Sequence, residues 1–70
     1  MEHYTDFSSS NVTRISYDET SSTLEVEFHN GSIYQYYEVS ANVWEDFKTA
    51  SSKGQFIHQY LKGKYRYARV

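Results

Sequence analysis

The stretch TLEVEFHNGSIYQYYEV, residues 23–39, decides the fold. Leu24, Val26 and Phe28 alternate with polar residues before Asn30-Gly31, and IYQYYEV alternates again after it. A period of two places successive side chains on opposite faces of a strand. Asn-Gly between two such runs is the strongest short hairpin signal, because both residues tolerate the positive φ of a type I′ turn. A two-residue loop predicts that Phe28 faces Ile33, Val26 faces Gln35 and Leu24 faces Tyr37 on one side of the sheet. Glu27 then meets Tyr34, and Glu25 meets Tyr36, on the other.

Upstream, VTRISYD at residues 12–18 alternates as well. A four-residue turn over 19–22 sets Tyr17 opposite Leu24, Ile15 opposite Val26 and Arg14 beside Glu27, so both hairpins agree on the core face. Residues 1–10, MEHYTDFSSS, show no periodicity and are expected to form a flexible leader, with residues 11–70 as a single domain.

Downstream, Ser40 is a natural N-cap for a helix over ANVWEDFKTA, with Glu45 and Asp46 early and Lys48 late, as the helix dipole favours. Val43, Phe47 and Ala50 share a stripe with Trp44 at its margin. A second helix is predicted from about 53 to 62, with Phe56, Ile57, Tyr60 and Leu61 on one side and Gly63 as its stop. The tail KYRYARV alternates once more. The prediction is an α+β domain: a three-stranded antiparallel meander packed by two helices, with the C-terminal tail as a fourth strand.

Aromatics make up 19% of the 70 residues, eight of them tyrosine, so large rings must supply much of the burial in so short a chain. The absence of cysteine excludes disulfides, thiolate metal sites and a thiol nucleophile. No apolar run approaches the roughly 20 residues of a membrane span, and the first ten residues lack the order of a signal peptide; a soluble, cytoplasmic protein is expected.

The net charge of −2 conceals an asymmetry. Residues 1–47 carry nine acids against Arg14 alone, while residues 48–70 carry Lys48, Lys53, Lys62, Lys64, Arg66 and Arg69 with no acid. Such a dipole either neutralises itself within the fold or marks a polyanion partner.

The order of these features resembles the KTSC domain, a short module seen alone in small bacterial and phage proteins and at the C-terminus of some lysyl-tRNA synthetases. The resemblance spans about residues 9–70 and rests on LEVEF, on NGSIYQY with Tyr34 and Tyr36, on SSKGQFI and on KYRY. Family members often carry a proline near the start of the first helix, where this chain has Ser40-Ala41. The synthetase context implies RNA, tRNA-like above all, as a partner.

Ser52, Lys53 and Gly54 stand at the predicted start of the second helix, where free N–H groups favour an anion. The alternative is a plain cap with glycine allowing close approach. Lys62, Lys64, Arg66 and Arg69 can contact several phosphates if they share a surface; otherwise they guard an edge strand. Tyr34, Tyr36, Tyr65 and Tyr67 form an aromatic platform for bases, or cover a sheet face. His3, His29 and His58 lack metal-ligand spacing, Glu25 and Glu27 share a strand face without a cleft, and no Ser, His and acid pattern marks a nucleophile.

No cofactor, metal or catalytic residue is therefore assigned. The expected function is a non-catalytic module for RNA or another phosphate-rich ligand. Two alternatives stay open: a protein-interaction or oligomerisation module exposing Tyr34, Tyr36 and Trp44, and a protein that sequesters a small nucleotide.

Overall fold

The computed structural model describes residues 1–70. Five strands, β1 (Glu2–Tyr4), β2 (Val12–Asp18), β3 (Thr23–Phe28), β4 (Ile33–Tyr36) and β5 (Tyr67–Arg69), form one sheet in sequence order, every neighbour antiparallel. Two helices follow β4: α1 (Ala41–Thr49) and α2 (Lys53–Phe56), the latter running on as a π-helical turn over Ile57–Leu61. The expected α+β class and two helices are present. The sheet has five strands where a meander of three plus a tail was expected, because residues 2–4 add a strand at one edge.

β2 and β3 pair as the alternation predicts, with Tyr17 opposite Leu24, Ile15 opposite Val26 and Arg14 opposite Glu27. The second hairpin differs by one residue. Phe28 N–H donates to the Ser32 carbonyl at 2.9 Å, Gly31 N–H donates to the Phe28 carbonyl at 3.0 Å, and Gly31 takes φ +89°. The loop therefore holds three residues, with glycine in the left-handed position that closes such a turn. Leu24 consequently pairs with Tyr36, Val26 with Tyr34 and Glu25 with Gln35. A one-residue slip exchanges the two faces of a strand. Tyr34 and Tyr36 stand on the apolar face, and the expected contacts of Glu27 with Tyr34 and Glu25 with Tyr36 do not form. The physical reason is burial: the two-residue loop would drive the Gln35 amide into the core opposite Val26 and leave two rings outside.

The leader is tied down rather than frayed. Glu2 pairs with Tyr17 and Tyr4 with Ile15, so both face the helices. The Glu2 carboxylate accepts from Trp44 Nε1 at 3.2 Å and from Lys48 Nζ at 3.1 Å. On the other face His3 Nδ1 lies 2.6 Å from Ser16 Oγ. Three residues with no apolar alternation become a strand because tertiary partners hold both of their faces.

Ile15, Tyr17, Leu24 and Val26 meet Trp44 and Phe47 of α1 and Phe56, Ile57 and Leu61 of the second helix in one core. Trp44 stacks on Tyr17 with ring centroids 5.6 Å apart, and Phe47 stacks on Phe56 at 4.8 Å. Such pairs contribute about 0.5–1.5 kcal/mol beyond area burial. Val43 and Ala50 are only half-buried, so the inward stripe of α1 centres on Trp44 and Phe47 instead of passing beside the indole. Ser40 caps α1 as expected, its Oγ accepting from Val43 N–H at 3.4 Å. Gly63 stops the second helix with φ +77°. Tyr60, expected on the buried side, is exposed.

Candidate nucleic-acid interface

Two helices, each roughly 10 Å wide, cover about four strands spaced about 4.8 Å apart. The fifth strand is left over. Along β4 and β5 the apolar face of the sheet opens into a groove of about 460 Å³, bounded on its far side by the second helix. Phe28, Tyr34, Tyr36 and Tyr67 form its strand wall, and Ile57, His58 and Lys62 its helical wall.

The cross-strand register builds this wall. Tyr36 pairs with Tyr67 and Tyr34 with Arg69. The Tyr67 ring lies 6.0 Å from Tyr34 and 5.9 Å from Tyr36, tilted by 35° and 36°. Tyr36 is 6% exposed and Tyr67 57%, so one ring makes the floor and the other presents itself to solvent. Burial, then the neighbouring Tyr34 and Tyr67, pushes the Tyr36 hydroxyl pKa up. Arg69 Nη2 donates to Ser32 Oγ at 3.0 Å, which fixes the guanidinium beside the hairpin loop.

The helical wall depends on the π-turn. Lys62 N–H donates to the Ile57 carbonyl at 2.8 Å, a bond over five residues. A step of five residues in an α-helix would rotate Lys62 about 140° from Ile57. The wider turn instead sets both on the groove.

Among the expected contact residues, the groove thus unites Gly54, Lys62, Tyr34, Tyr36 and Tyr67, with Arg69 bonded to its lining residue Ser32. Lys53 does not join them. It is 4% exposed, and its ammonium donates to the Ala50 carbonyl at 2.6 Å and the Lys48 carbonyl at 2.9 Å. The rings of Phe7 and Tyr4 cover it at 5.3 and 6.0 Å. Burial lowers its pKa. Lys53 is a cap for α1, not an anion contact. Ser52 Oγ accepts from Gln55 N–H at 3.2 Å and so caps its own helix. A Cβ on Gly54 would lie 3.6 Å from Asn11 Nδ2, ordinary contact, so close packing does not demand the glycine.

Tyr65 leaves the platform too, lying in a separate hollow with Val43, Ala50, Phe56 and Tyr60. Arg66 is solvent-exposed, over the Tyr37 ring at 5.7 Å and 4.0 Å from Glu38. The exposed patch of Tyr34, Tyr36 and Trp44 does not exist, since Trp44 is 2% exposed and Tyr36 is buried.

Charge pairing is uneven among the cations. Lys48 bridges Glu2 and Glu45 at 3.1 Å each, and Arg14 bridges Glu27 at 3.0 Å. Lys62, Lys64 and Arg69 have no carboxylate within 4.0 Å. Residue-by-residue reading missed Phe28, Ser32, Ile57 and His58 as groove residues. Only the corrected register and the π-turn bring them together. No helix is long and apolar enough to cross a membrane.

A family model, the KTSC domain, matches residues 8–65. The chain is 43% identical over 54 residues to a lysine–tRNA ligase of Trichormus variabilis, a match covering 77% of this chain and 10% of the ligase. The chain thus spans about a tenth of the length of such ligases. It is also 36% identical over 63 residues to a protein of Stutzerimonas stutzeri, covering 89% of each. The crystal structure of a KTSC domain protein from Yersinia pestis superposes with a TM-score of 0.85 at 33% identity, over 97% of both chains.

Proposed function

The chain belongs to the KTSC domain family, and from that premise we propose that it is a non-catalytic module that binds RNA through the cations around the β4–β5 groove. One observation carries this reading: Lys62, Lys64 and Arg69 are left without carboxylate partners, while Arg14 and Lys48 are engaged by Glu27, Glu2 and Glu45. An unpaired cation keeps its full capacity to displace counterions from phosphate. Related sequence within lysine–tRNA ligases, whose name states an action on tRNA, supports RNA as the polyanion.

Two of the three histidines serve the fold, and His58 lines the groove. His3 is held to Ser16, and His29 bonds both Thr13 Oγ1 and the Ser9 carbonyl at 2.6 and 2.8 Å. Each is engaged in joining strands or loops.

A polarisation titration of labelled tRNA at two salt concentrations tests the proposal. Neutralising three phosphates gives a slope of log affinity on log salt of about −2 to −3. The Lys62→Ala, Lys64→Ala, Arg69→Ala triple variant should lose most of both affinity and slope. Equal binding by the triple variant, or no binding by the wild type at low salt, overturns it.

A further inference from the structure

We propose that the β4–β5 groove accepts one unpaired nucleobase of single-stranded RNA on the ring of Tyr67, so that the module selects single strands over duplex; this rests on the RNA reading above. A volume of about 460 Å³ lies within the roughly 300–1,000 Å³ of small-molecule sites, far more than a side chain requires. Its lining suits a flat ring with a polar edge. Phe28, Tyr34, Tyr36, Ile57 and Tyr67 offer apolar and aromatic faces, and Asn30, Ser32 and His58 offer polar atoms.

Tyr67 is the ring placed to stack. It is 57% exposed, yet its position is fixed by pairing with Tyr36 and by contact with two tyrosine rings near 6 Å. A ring held by its neighbours and open on one side has little conformational freedom to lose on binding. Asn30 Oδ1 accepts from Ser32 N–H at 2.9 Å, which leaves its amide NH2 free of protein partners and able to donate to a base edge.

The cations complete the match. Lys62 projects from the helical wall and Arg69 from the strand wall, so positive charge flanks the aromatic floor on both sides. A base in the groove would have its own backbone phosphates within reach of both walls. In a duplex the base faces are covered by stacking, and only the cations can engage.

The test compares a labelled single-stranded purine-rich RNA with the corresponding duplex at fixed salt, using wild type, Tyr67→Ala, Tyr67→Phe and Lys62→Ala. The wild type is expected to favour the single strand about tenfold or more. Tyr67→Ala should weaken the single strand by about five- to a hundredfold and leave duplex binding unchanged, as stacking on one ring predicts. Tyr67→Phe should retain affinity. A ring-current shift at Tyr67 on adding the single strand, read in the unsubstituted protein, keeps the test valid if Tyr67→Ala fails to fold. Equal affinities for strand and duplex, lost in Lys62→Ala and indifferent to Tyr67, would sink the nucleobase site and leave the RNA reading standing. Failure to bind either RNA would overturn both.

Discussion

Lys53 Nζ lies 2.6 Å from the carbonyl oxygen of Ala50, so the residue that opens the second helix closes the first. The last carbonyls of an α-helix lack intrahelical donors. An ammonium group there satisfies two of them and complements the negative end of the dipole. Four methylenes let Lys53 reach back from the following helix, and Tyr4 and Phe7 cover it from the N-terminal segment. One side chain thereby joins β1, α1 and α2.

Lys53→Met keeps the stem and removes the ammonium. It removes the donor from the part-buried Lys48 and Ala50 carbonyls and should destabilise the domain by about 1–3 kcal/mol, a fall in Tm of roughly 5–20 °C. Affinity for RNA in the folded fraction should be unchanged. The pH dependence identifies the cause. Burial sets the folded pKa below 10.5, so the unfolded chain binds more protons between the two values, and wild-type stability rises with pH in that window. Chemical denaturation across alkaline pH should show the rise in wild type and not in Lys53→Met.

Glu2 predicts the opposite end of the pH profile. Its bonds from Lys48 and then Trp44 hold its carboxyl below 4.5. A carboxylate depressed in the folded state stabilises above its unfolded pKa and loses that contribution as pH falls through the folded value. Glu2→Gln should therefore melt lower than wild type near neutral pH, and the two curves should converge in acid below 4.5. Parallel melting temperatures throughout would remove Glu2 as the tie of β1 to α1.

Tyr17 hydroxyl donates to the Val39 carbonyl at 2.5 Å in the interior. Tyr17→Phe preserves the stack on Trp44 and orphans that oxygen, for an expected loss of about 1–2 kcal/mol in urea unfolding. An unchanged midpoint would mean that the oxygen finds another donor.

Gly31 holds φ +89°, and a Cβ added there would meet no atom within 4 Å, so any cost of substitution is conformational, not steric crowding. Gly31→Ala should destabilise by about 1–2 kcal/mol. Amide spectra should retain cross-strand contacts between Val26 and Tyr34. Contacts between Val26 and Gln35 instead would show the loop shortening to two residues.

Single-stranded RNA should protect the groove residues selectively. With ligand present, the amide of Tyr67 should exchange at least severalfold more slowly in wild type than in the Lys62→Ala, Lys64→Ala, Arg69→Ala variant, as mass action requires when binding stabilises the folded state. Equal exchange in the two proteins would place the ligand elsewhere.

Local pattern was enough for the elements whose neighbours lie close in the chain. The β2–β3 register, the Ser40 cap, both helices and the Gly63 stop were legible because alternation, a capping hydroxyl and a glycine act within a few residues. KTSC membership was legible too, from LEVEF, NGSIYQY and SSKGQFI in order. The β3–β4 register was half legible: Asn30-Gly31 marked the turn, and Gln35 opposite Val26 was the warning that two residues were too few. Other features depended on distant partners. β1 exists because Trp44 and Lys48, more than forty residues away, bond Glu2. Lys53 turns inward because the end of α1 lies within its reach, and no pattern around SSKG distinguishes that from a phosphate contact. The groove is the clearest case. It forms where two helices run out before five strands do, and where a π-turn brings Lys62 over Ile57. Burial and hydrogen-bond satisfaction across the whole domain select those arrangements, and neither quantity is fixed until the chain has folded.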